Sequence, residues 1–108
     1  MSIINEDKPI TQKVGDTARG FEIEEPNMDV TGATVTVRVR TRFGRKPVTP
    51  HDGIEITPIK AANPAIFKYV PAAGTTYPEG EVVGYFHAAF TDDRTDSSSE
   101  VLIQVDPA

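Results

Sequence analysis

From Ala33 to Thr41 the chain alternates without a break. Ala33, Val35, Val37 and Val39 fall on one side of an extended strand, and Thr34, Thr36, Arg38 and Arg40 on the other. Successive strand side chains point to opposite faces, so this period of two predicts one buried and one solvated face. Shorter stretches repeat the pattern. A first strand is expected at about 9–14. Phe21 and Ile23 then alternate with Glu22 and Glu24, and Ile54 and Ile56 form a short buried pair. Phe67 and Tyr69 oppose Ile66, Lys68 and Val70. Gly84, Phe86, Ala88 and Phe90 are in phase in a second long strand, and Val101, Ile103 and Val105 in the last. No helical period persists. The best candidate, PIKAANPAIFKYV, is interrupted by Pro58 and Pro64, and an interior proline costs a helix about 3 kcal/mol.

Turn formers separate these segments: Gly15 and Asp16, Gly44, the Thr-Pro-His-Asp-Gly run at 49–53, a longer loop at 71–80 and a polar turn at 91–99. About seven short alternating strands with turns between them predict an all-β fold, an immunoglobulin-like antiparallel β-sandwich. A small β-barrel fits the same pattern and is the alternative. The chain has neither Cys nor Trp, so the antibody core is not expected, only its architecture. Residues 1–108 are read as a single domain with short flexible ends at about 1–8 and 106–108.

Composition narrows the function classes. The absence of cysteine excludes a disulfide framework, a thiolate metal site and a cysteine nucleophile. The first twelve residues carry no apolar run of signal-peptide length, so use without Sec export is expected, with no membrane span. The formal net charge is -5 and the pI about 4.9, a field that repels phosphate and disfavours general nucleic-acid binding.

The candidate chemistry is sparse. Ser97, Ser98 and Ser99 lie in a turn and in no nucleophile elbow. His51, in a turn before Asp52, and His87, on the outer face of a strand, are read as surface imidazoles, since a metal site needs further ligands. Asp92, Asp93 and Asp96 cluster around Arg94, which opposes a cation, and calcium takes roughly six to eight oxygens. The cluster is read as a solvated turn. No enzyme activity, cofactor or metal is expected.

The exception is a basic ladder. Arg38, Arg40, Arg42, Arg45 and Lys46 place five cations within nine residues of an acidic chain. Two readings fit. Charges along an exposed strand edge block edge-to-edge pairing, with Glu22 and Glu24 as cross-strand partners. Alternatively the ladder is a docking face for an acidic partner, a task that suits the bidentate guanidinium. Only Phe43 lies near enough to interleave for base stacking. Tyr77 in a loop and Tyr85 on an outer face are the aromatic platforms that a carbohydrate- or cell-surface-binding module would use.

Four stretches carry a family resemblance: ITQKVGDTARGFEIEE, DVTGATVTVRVRT, AIFKYVPAAGTTYPEGEVVGYFHAAFTD and SSSEVLIQV. Together they resemble the immunoglobulin-like β-sandwich at the start of bacteriophage baseplate upper proteins, and related domains of phage tail and tail-fibre proteins. The resemblance spans nearly the whole chain, and its motifs are fold motifs, not catalytic ones. It implies a virion structural protein, placed in the tail, baseplate or neck, working by protein–protein contacts in a multi-copy symmetric assembly. Its partners would be other virion proteins with acidic contact surfaces. A capsid accessory protein is the alternative, because the larger baseplate proteins continue into further domains.

Overall fold

Backbone alternation becomes two stacked sheets. The structure, a computed structural model, describes residues 4–108, with side chains from Pro9 onward. Among the described residues there are eight strands and no helix: β1 (Ile4–Lys13), β2 (Phe21–Glu25), β3 (Thr34–Thr41), β4 (Ile54–Ile56), β5 (Ala65–Tyr69), β6 (Gly80–Ala89), β7 (Thr95–Ser97) and β8 (Glu100–Asp106). The larger sheet runs β1-β8-β6-β3-β4, with β7 also on β6, and the smaller one is the antiparallel pair β2-β5. Neither sheet closes on itself, so the architecture is a β-sandwich and not a barrel.

Several details differ from the sequence reading. β1 starts at Ile4, so residues 4–8, expected in a flexible end, lie in a strand; residues 1–3 lie outside the described residues. β8 likewise runs to Asp106. β1 pairs with β8 in parallel, not antiparallel. They are the first and last strands, and the chain between them supplies the long crossover that parallel pairing needs.

The polar stretch expected as one turn contains β7. After the turn at 91–94 the chain lies back along β6, pairing Ser97 with His87, and β8 continues on the same edge from Val101 opposite Gly84. Buried Ser98 bridges the break: its N–H donates to the Phe86 carbonyl, and its hydroxyl accepts from the Phe86 N–H, both at 2.9 Å. A side-chain oxygen thus replaces one missing rung.

Val35, Val37 and Val39 are fully buried, as the alternation requires, and each contributes about 1.5–3 kcal/mol through burial. They pack into a core with Phe21, Phe67 and Phe86, the last two stacked at 5.1 Å between centroids. Gly84 is the spacer for Phe21. A Cβ there would clash with the Phe21 ring. Ile54 and Ile56 are not the buried pair expected: Ile54 is exposed and Ile56 only half-buried. They lie opposite Val37 and Val35 on a three-residue edge strand, and the two-stranded second sheet is too narrow to cover them fully.

Candidate functional site

β3 sets the ladder on the outer face of the larger sheet. Its alternate residues Thr36, Arg38 and Arg40 lie across from His87, Tyr85 and Val83 of β6. The strand is not an edge. β6 flanks one side. On the other, β4 pairs with Val35–Val37 and the returning segment at 46–48 pairs with Val39 and Thr41. The edge-guard reading of Arg38 and Arg40 is therefore corrected. Their alternate spacing is set by the pleat of an interior strand.

Beyond Thr41 the chain reverses through Gly44 and Arg45, both at positive φ, the latter at 52°. The Thr41 N–H donates to the Lys46 carbonyl at 2.9 Å, and the Val48 N–H to that of Val39 at 2.8 Å, fixing the return.

Three ladder arginines are answered within the chain. Arg40 Nε lies 3.1 Å from Asp52 Oδ1, an oxygen that also accepts the Val39 N–H at 2.9 Å. Arg42 Nη1 meets Glu81 Oε2 at 2.6 Å, and Arg45 Nη1 meets Glu100 Oε2 at 2.9 Å. Glu22 and Glu24, the expected partners, are exposed on β2 of the other sheet, opposite Lys68 and Ile66. Strand pairing, invisible in the local sequence, is what placed them there.

Arg38 and Lys46 differ from the other three. Arg38 Nε donates to Thr36 Oγ1 at 3.2 Å, and the guanidinium has no carboxylate partner among the described residues. Lys46 is exposed, and its ammonium has neither hydrogen bond nor ion pair among the described residues. Among the described residues, two unanswered cations thus remain on a ladder otherwise neutralised.

The outer face is not purely polar. Val83 and Leu102 pair across β6 and β8 and are both buried, although they point away from the main core. Arg40 lies across from Val83 on β3, and arginine stems can cover apolar surface while the charged head stays wet. His87 sits on this face as expected, half-buried, with Nδ1 3.3 Å from Ser97 Oγ. Burial, and secondly the Arg38 charge, hold its pKa below the usual histidine value.

His51 is a correction. It is completely buried, not a surface imidazole. Its Nε2 lies 3.0 Å from the Thr76 carbonyl and its Nδ1 2.6 Å from the Tyr69 hydroxyl. A carbonyl only accepts, so Nε2 carries the proton, and in the neutral ring Nδ1 accepts from Tyr69. Tyr77 packs on this imidazole at 4.6 Å and donates its hydroxyl to the Arg19 carbonyl at 2.7 Å. Tyr77 is 1% exposed and therefore offers no platform to a sugar. Tyr85 remains half-exposed on the outer face.

In the acidic turn Arg94 satisfies Asp92, through its N–H at 3.2 Å and its Nε at 2.7 Å, and its guanidinium lies 4.6 Å from the centre of the Phe90 ring. Among the described residues no group of three or more His, Cys, Asp or Glu side chains is arranged to hold a metal ion. Among the described residues no helix is long and apolar enough to cross a membrane. No family model matches the chain, and no curated protein or solved structure matches it significantly.

Proposed function

We propose that this domain is a non-catalytic docking module, a structural protein of a bacteriophage virion that works by contact with acidic neighbours in a multi-copy assembly. The observation that carries the docking part is the pair of unanswered cations. Arg38 projects from a strand paired on both sides and Lys46 from the segment bonded back onto that strand, and among the described residues each lacks an acid. With the backbone already fixed, only the side chains remain to be ordered when a partner carboxylate arrives, at about 0.5–1.5 kcal/mol each. The virion assignment rests on the family resemblance of the four sequence stretches, with tail, baseplate or neck as the location and the capsid surface as the alternative.

Mass spectrometry of purified particles from the producing host tests the assignment. The protein should be present at a fixed ratio to other virion proteins, and its absence from particles overturns the virion reading. The docking part is tested by the double variant Arg38→Glu with Lys46→Glu. It should fold normally and enter particles poorly. Reversal of Arg40, Arg42 or Arg45 is the wrong test, since each would set a glutamate beside Asp52, Glu81 or Glu100 and disturb the fold itself.

A further inference from the structure

A cleft opens at the end of the sandwich where the ladder turns back. Its volume is about 560 Å³, within the range of small-ligand sites. One wall is the returning segment, with Lys46, Val48 and Thr49. The other is the loop segment of Thr76, Tyr77 and Pro78, and Thr41 belongs to the lining as well.

Each wall is pinned. Thr41 and Val39 hold the returning segment through the two backbone bonds already described. His51 Nε2 holds the Thr76 carbonyl, and the Tyr77 hydroxyl holds Arg19. The cleft is therefore preformed.

The charge of its lining is unlike that of the chain. The protein has 16 acidic and 11 basic residues, yet among the described residues no acid lines this cleft. The lining offers one ammonium, Lys46, which has no partner among the described residues, and the hydroxyls of Thr49 and Thr76, which can donate; that of Thr41 is already committed to the Phe43 carbonyl at 2.9 Å. The Tyr77 phenol stays neutral, its pKa pushed up by burial. The remaining lining is apolar, with Pro47 and Pro78 among it. A carboxylate would meet a charge-assisted donor there, and an adjoining uncharged backbone would lie on proline and valine.

We propose that this cleft binds a carboxylate side chain presented on an extended peptide segment of a partner protein, with Lys46 as its counter-ion and the Thr49 and Thr76 hydroxyls as neutral donors. The peptide source rests on the docking reading above; the carboxylate chemistry does not.

The experiment is a titration of the ¹⁵N-labelled protein with the capped peptide acetyl-Gly-Asp-Glu-Gly-amide, followed by amide shifts. Saturable shifts are expected at Thr41, Lys46, Thr49 and Thr76. Affinity should fall about tenfold or more in Lys46→Gln, the loss of a charge-assisted bond. Thr49→Val should weaken binding further, and Lys60→Gln should leave it unchanged. The Asn-Gln analogue of the peptide should not bind. Shifts absent from the cleft, or unchanged in Lys46→Gln, overturn the proposal. Acetate saturating the same residues at the same concentration overturns the peptide part, leaving a small-anion site. A failed titration beside poor particle entry of the Arg38/Lys46 double variant would remove this cleft and keep the docking face.

Discussion

Arg45 Nη1 stands 2.9 Å from Glu100 Oε2, joining the tip of the β3 turn to β8 across 55 positions of sequence. The two ends are unequal. The Arg45 side chain is 47% exposed, whereas that of Glu100 is 5% exposed. Glu100 Oε1 is buried with no hydrogen-bond partner. Among the described residues the arginine is thus the one group that answers a carboxylate already removed from water.

Removal of Arg45 should therefore hurt more than removal of the charge it answers. Arg45→Ala leaves a buried, unpaired carboxylate, which costs about 1–3 kcal/mol when discounted for the half-exposed arginine. Glu100→Gln removes the buried charge and should lose less. Urea unfolding of the two variants measures the difference. A larger loss in Glu100→Gln than in Arg45→Ala would contradict this account.

Gly84→Ala should destabilise by about 1–3 kcal/mol or more, as overpacking does, because the new methyl meets the Phe21 ring. Phe21→Leu alone leaves space and also destabilises. Together the two changes should cost less than their sum, since each relieves the defect of the other. Thermal unfolding of the double-mutant cycle checks the coupling.

Tyr69→Phe should cost about 1–3 kcal/mol by leaving the buried Nδ1 of His51 without its donor. The ring packing of Tyr69 is retained in this variant, so the loss reports the hydrogen bond. ¹⁵N imidazole shifts should show the Nε2–H tautomer in the wild type. An Nδ1–H signal there would overturn the assigned roles.

His87 should titrate below the usual histidine midpoint of 6.5, through burial first and the Arg38 charge second. Its folded-state pKa is depressed, so the unfolded chain binds the proton more readily. The stability contributed by the neutral ring is complete above the unfolded pKa and is lost as pH falls below about 6.5 towards the folded value. Arg38→Gln should raise the midpoint. An imidazole titration by NMR that leaves it unmoved in this variant would remove Arg38 as a cause.

Much of the fold was legible locally. The alternation of Ala33 to Thr41 located β3 and its buried valines, and Phe67 and Tyr69 marked the inner face of β5. The misses share a cause. Ile54 and Ile56 carry a core-like pattern, but their burial depends on how far the opposite sheet extends. Val83 and Leu102 fall on the outward phase and are buried all the same. His51 sits in a stretch of turn formers, and nothing in Thr-Pro-His-Asp-Gly reports that Tyr69 and Tyr77 close over it.

The candidate site divides the same way. The sequence by itself determined that the cations alternate with core valines, because a pleated strand gives each residue a side by parity alone. It also determined an acidic chain without cysteine. Only the tertiary structure decided which cations are answered. Asp52, Glu81 and Glu100 meet Arg40, Arg42 and Arg45 across separations of 12, 39 and 55 residues, while Glu22 and Glu24 belong to the other sheet. A charge falls away within angstroms in space, and distance along the chain does not report it, so the identity of Arg38 and Lys46 as the two without an acid emerges only once the strands are paired.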